Sequence, residues 1–135
     1  MLPKFRAWMK SLKWMCDVTN ISFDSKFVDV CQQGDTERHT EMSVEFDEVE
    51  LMQSTGLFDQ NNKEIFEGDV ILWTYWDEFE DSGRAKVIFD KGMFKLLDIR
   101  TGKEVWDNLF DCIENCDVYL QSNIYENSEF LEVKE

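Results

Sequence analysis

The sequence predicts a mainly β fold: a single compact domain of short antiparallel strands, small-barrel or sandwich-like, with one or two short helices near the C-terminus. Three observations carry this. The chain has 135 residues, enough for one domain spanning 1–135 and little more. Aromatic residues make up 14% of it, a supply of large apolar groups that argues against intrinsic disorder despite the heavy charge. Apolar and polar side chains alternate in short runs, and those runs break at residues that favour turns.

Pro and Gly are scarce, so the elements are read from alternation and charge. Phe5, Ala7 and Met9 alternate, and Lys13-Trp14-Met15 restarts after Lys10-Ser11. This spacing predicts two short strands around a turn, with a single helix as the competing reading. Ile21, Phe23, Phe27 and Val30 alternate around Asp24-Ser25-Lys26, the pattern of a hairpin. Residues 32–48 are mostly polar and are expected to form a mobile loop holding a short strand at Ser43–Phe46. Val49–Gln53 is a short apolar segment, and Asp59–Lys63 carries Asn and Asp side chains that tolerate left-handed backbone.

Glu67-Gly68-Asp69 is a turn that opens Val70–Trp76, the strongest strand by β-branched and aromatic content. An acidic loop, 77–81, with Ser82-Gly83, is expected to close it. Ala85, Val87 and Phe89 then alternate, Asp90-Lys91-Gly92 turns, and Phe94–Ile99 returns as the second arm of a hairpin. Thr101-Gly102-Lys103 is the next turn. Trp106, Leu109, Phe110 and Ile113 recur at helical spacing, which predicts a short helix over 107–115 with Asp107 as its N-cap. Val118–Leu120 reads as the last strand and Ser128–Val133 as a terminal helical turn.

Charge and cysteine content narrow the function classes. There are 29 acidic and 14 basic residues, a net charge of −15, which opposes general nucleic-acid binding because phosphate contacts need Lys and Arg. No apolar run approaches the roughly 20 residues needed to cross a bilayer. The first fifteen residues carry Lys4, Arg6, Lys10 and Lys13 without an acid, and these lysines interrupt any secretory apolar stretch, so a cytoplasmic location is expected. Cys16, Cys31, Cys112 and Cys116 should then stay reduced. They do not form two tight pairs and the one histidine, His39, lies in a polar stretch, so buried thiols are expected rather than a metal site.

Paired carboxylates are abundant enough to arise by chance, and general acid–base work needs burial that sequence does not display. No Walker loop, nucleophile elbow, dinucleotide fingerprint or His-Glu-x-x-His is present, so neither catalytic residues nor a cofactor are expected. The candidate interaction residues are Trp73, Tyr75 and Trp76 on the strong strand with the adjoining Asp77, Glu78, Glu80 and Asp81. One face of that strand would stack a base or a partner chain; the alternative buries both faces in a small barrel.

Three stretches together resemble the YopX protein family of bacteriophages and prophages. They are Pro3-Lys-Phe-Arg-Ala-Trp8, the long segment from Glu50 through Thr55-Gly-Leu-Phe-Asp-Gln-Asn-Asn-Lys-Glu-Ile-Phe-Glu-Gly-Asp-Val70, and Asn123-Ile-Tyr-Glu-Asn-Ser-Glu-Phe-Leu131. Asn62 and Ser122 stand where the family usually has Gly, and Ser128 where it usually has Pro. Asn accepts positive φ at modest cost, so the turn at 61–62 should survive. The resemblance implies a mostly β fold, a bacterial host cell and no catalytic residues to transfer.

The expected role is a non-enzymatic protein-interaction module acting on a host or phage protein and self-associating as a homo-oligomer. Residues 107–135 carry Asp107, Asp111, Glu114, Asp117, Glu126, Glu129, Glu132 and Glu135 against Lys134 alone, opposite in sign to the first fifteen. That asymmetry suits head-to-tail contact between copies. An acidic nucleic-acid mimic inhibiting a host DNA-binding protein is the alternative, and an enzyme with a buried carboxylate pair comes third.

Overall fold

The computed structural model describes residues 4–75 and 78–126, with residues 78–81 described in backbone only. The chain divides into two compact units, Met1–Ser54 and Thr55–Glu135. Both are built from antiparallel sheet, as the alternation predicts.

In the first unit β1 (Phe5–Met9), β2 (Trp14–Ser22), β3 (Phe27–Gln32), β4 (Met42–Glu45) and the start of β5 (Val49–Phe58) lie in the order β4-β3-β2-β1-β5. The β1–β2 and β2–β3 turns fall where charged residues break the alternation. Lys13 and Lys26 take left-handed φ values of 58° and 61° there, and the Lys13 N–H donates to the Met9 carbonyl at 2.8 Å. Ala7, Met9, Cys16, Val28, Val30, Val44 and Val49 form the core, packed from alternate positions of these strands. A single 3-10 turn, Phe46–Glu48, leads into β5.

The 32–48 stretch contains β4, beginning one residue before the expected strand. The segment between β3 and β4 is tied together by one carboxylate. Asp35 Oδ2 accepts from both the backbone N–H and the hydroxyl of Thr40, each at 2.6 Å, and Thr40 Oγ1 in turn accepts from the Gln32 N–H at 2.8 Å. The Thr40 hydroxyl, and then its N–H, hold the Asp35 carboxyl below the usual carboxylate range. A lowered folded-state pKa means these bonds contribute fully above the unfolded value of about 3.9 and are lost as pH falls through the folded value. Amide exchange at Thr40 should therefore accelerate as pH drops below about 4, beyond its intrinsic pH trend. Asp35→Asn should remove this dependence; an unchanged profile in the variant would contradict the assignment.

In the second unit the end of β5 pairs with β6 (Glu64–Phe66), and β7 (Asp69–Tyr75), β8 (Glu78–Asp90), β9 (Met93–Asp98), β10 (Glu104–Val105) and β11 (Asp117–Asn123) form a sheet in the order β10-β9-β8-β7-β11. Neither sheet order returns on itself, so the described strands close no barrel. Ile71, Ala85, Val87, Leu96 and Val118 cluster with Leu109 and Cys112 of helix α1 (Leu109–Asn115) and with Ile65 and Cys116. The β8–β9 hairpin turns where expected: Lys91 and Gly92 both have positive φ, 53° and 84°, the two-residue geometry whose twist matches paired strands.

Two local expectations are corrected. The acidic residues expected to form a loop at 77–81 lie on β8 from Glu78 onward, where Glu78 pairs with Tyr75 across a register shift. Glu78 pairs with Tyr75 and Ser82 with Thr74, so the acids between them fall within the register shift. The helix cap is Asn108, not Asp107: Asn108 Oδ1 accepts from the Asp111 N–H at 2.9 Å. Trp106, at φ 62°, redirects the chain and leaves Asp107 one residue outside the cap position. The terminal turn expected at Ser128–Val133 lies outside the described residues.

Candidate functional site

Two buried carboxylates, Asp59 and Asp69, accept backbone N–H groups. Asp59 is 7% exposed; its Oδ1 accepts from the Asn61 and Lys63 N–H groups at 2.9 and 2.8 Å, and its Oδ2 from the Leu120 N–H at 2.8 Å. One carboxylate thus closes the 59–63 turn and fastens it to β11. Asn62 adopts φ 64° in that turn, as its amide side chain permits. Asp69 is 1% exposed and accepts from the Phe66 N–H at 2.8 Å across the Gly68 turn. Asn123, paired with Asp69 between β11 and β7, accepts through Oδ1 from the Tyr125 and Glu126 N–H groups. Backbone donors satisfied in this way stabilise turns that lack Pro and have little Gly.

The thiols are equally committed to packing. All four cysteines are free and buried. Burial is the largest influence on each and pushes all four up from the ordinary thiol range, Cys16 to about 11. Cys112 and Cys116 lie one helical turn apart with their sulfurs 3.4 Å from each other, and the Cys116 thiol donates to the Cys112 carbonyl. Among the described residues no three His, Cys, Asp or Glu side chains gather as a metal site.

The sequence-predicted interaction residues separate along β7. Its first half is buried on both faces, at Val70 and Ile71; its second half opens on one face, with Trp73 half-buried and Tyr75 exposed while Thr74 between them stays buried. Trp73 lies edge-on to both Tyr75 and Trp106, with centroids 6.1 and 5.6 Å away, and Tyr75 and Trp106 are 5.8 Å apart. These three rings form one aromatic cluster. Trp76 and Asp77 lie outside the described residues; Glu78, Glu80 and Asp81 are placed on β8 by their backbone. Trp106 was not among the expected residues, because its spacing from Leu109 and Ile113 reads as helical. A tryptophan with left-handed backbone outside the helix leaves no such signal.

Gly83, opposite Trp73 on β8, makes room for the cluster. A Cβ there would sit 3.0 Å from Trp73 Cζ2 and 3.1 Å from Cε2 and Nε1. Gly83→Ala should therefore displace the indole and destabilise the protein by about 1–3 kcal/mol. Thermal melting with tryptophan emission reads both effects, and a variant with native Tm and emission would refute the packing argument.

A second feature lies in the same unit. An open cleft of about 710 Å³ is bounded by Leu72 on β7, Ser82–Arg84 on β8 and the 98–105 segment that joins β9 to β10. Its lining includes Arg84, Arg100 and Lys103 together with Asp98 and Glu104.

The family model described as YopX protein matches residues 4–132. Among solved structures the chain is similar to protein EF1440 from Enterococcus faecalis, at 26% identity and TM-score 0.64 over 97% of this chain and 99% of that one. It is also similar to protein yopX from Bacillus subtilis, at 16% identity and TM-score 0.59 over 98% of each, a likeness that shows the fold. No curated protein matches the chain.

Proposed function

The chain belongs to the YopX protein family, and from that premise we propose a phage-type, non-enzymatic protein-interaction module that self-associates in the bacterial cytoplasm. The observation that carries this reading is the cluster of Trp73, Tyr75 and Trp106, with Tyr75 exposed at the open end of β7. Trp and Tyr are the residue types that dominate binding energy at protein interfaces, because they bury large area with few rotors to freeze. The non-enzymatic part is supported by the buried carboxylates: Asp59 and Asp69 both accept backbone N–H groups, and burial pushes the thiols away from the reactive thiolate. Self-association is supported by the opposite signs of the first fifteen residues and of 107–135.

Light scattering at near-physiological salt tests the assembly, with a mass of two or more chains expected. Tyr75→Ala, an exposed position, should shift that mass toward the monomer without a large change in Tm. A monomeric mass for the native chain would overturn the reading.

A further inference from the structure

We propose that the cleft beside the β9–β10 connection binds a small organic oxyanion, a molecule with an apolar or planar body carrying one phosphate or carboxylate group. The inference does not depend on self-association. The volume, about 710 Å³, lies in the range of small-molecule sites, and Leu72, Ile99 and Val105 supply apolar contact for the body of such a ligand.

The charges in the lining decide the head group. Both carboxylates have partners within the fold. Asp98 Oδ2 accepts from the Arg100 and Thr101 N–H groups at 3.1 and 2.9 Å, and Glu104 Oε2 lies 3.7 Å from Lys95 Nζ. The Arg100 and Lys103 side chains, by contrast, are exposed and make no hydrogen bond or ion pair among the described residues. Arg84, which is itself engaged within the fold, is a third cation in the same lining. The lining thus carries three cations against two carboxylates, in a chain of net charge −15.

The loop is also held in shape before any ligand arrives. The Gly102 N–H donates to the Asp98 carbonyl at 2.8 Å, the Asp98 N–H to the Lys103 carbonyl at 2.8 Å, and the Lys103 N–H to Thr101 Oγ1 at 3.1 Å. The N–H groups of residues 100–103 are all engaged within the loop, so recognition of the anion falls to the side chains. An arginine fork in a lining that also holds a lysine is suited to a planar carboxylate or to two oxygens of a phosphate.

The probe is anilinonaphthalene sulfonate, which joins an aromatic body to an oxyanion, titrated calorimetrically into the full chain. Saturation at one probe per chain is expected. An Arg100→Gln/Lys103→Gln double variant should melt at the native Tm, since both side chains are exposed, and bind about tenfold more weakly. Arg100→Lys alone should retain most of the affinity. Phenyl phosphate and benzoate as competitors then distinguish the head groups: displacement by either supports the proposal and identifies the preferred anion. Native affinity in the double variant, failure to saturate at one probe per chain, or displacement by neither competitor would overturn it.

Discussion

Replacing Asp59 with alanine should lower the stability of the protein by about 2–4 kcal/mol, because three backbone N–H groups lose a charged acceptor at once. Hydrogen bonds to a charged group contribute about 1.5–3 kcal/mol each, and water will recover part of that for the turn donors. The Leu120 N–H has less recourse, since it lies on β11 beneath the 59–63 turn and meets Asp59 Oδ2 at 2.8 Å. Asp59→Asn offers a sharper measurement. An amide can accept from Asn61 and Lys63 through its oxygen, yet it then presents N–H to N–H at Leu120, so the variant should remain well below native stability. Urea unfolding of both variants checks this. A loss under 1 kcal/mol for Asp59→Ala would show that solvent replaces the carboxylate without penalty.

Leu109→Ala should cost about 2–5 kcal/mol, the range for emptying a fully buried leucine site. Leu109 is fully buried (0% exposed) and is the first residue of a helix only seven residues long. A helix that short has negligible stability by itself and exists because its apolar face is packed. Loosening it should uncover Cys112 and Cys116, which lie on or just past the same helix, while Cys16 and Cys31 stay protected in the first unit. The readout is thiol labelling under native conditions: two of the four cysteines should react faster in the variant, and mass mapping should place both at 112 and 116. Equal acceleration of all four would indicate global unfolding in place of a local opening.

How far the sequence reached depends on the range of the interaction concerned. Alternation of Ala85, Val87 and Phe89 with a turn at Lys91-Gly92 is a local signal, and the β8–β9 hairpin follows from it. The same holds for Gly68-Asp69 and for Asn62, where backbone preference acts within a few residues. The upstream extension of β8 to Glu78 was not legible, since acids disfavour strands and the pairing of Glu78 with Tyr75 of β7 is a contact that no local pattern shows. β10 is two residues long and exists by pairing with Leu96 and Leu97. For the sites the contrast is sharper. Trp73 and Tyr75 could be named from one strand, whereas Trp106 joins them through a left-handed residue that no pattern announces. The cleft draws on residues from 72, from 82–84 and from 98–105, which become neighbours only through strand register.

The left-handed turns bear on how this chain will tolerate sequence drift. Among the described residues Lys13, Lys26, Arg38 and Lys91 all adopt positive φ, so a large share of the reversals is made by cationic side chains instead of glycine. Such a conformation costs an L-residue roughly 1–2 kcal/mol relative to glycine. Mutation to glycine would relieve that local strain but loosen the unfolded chain and delete one of only 14 positive charges from a strongly acidic molecule. Thermal robustness and colloidal behaviour are therefore coupled at the same few codons, and selection on one will show up in the other.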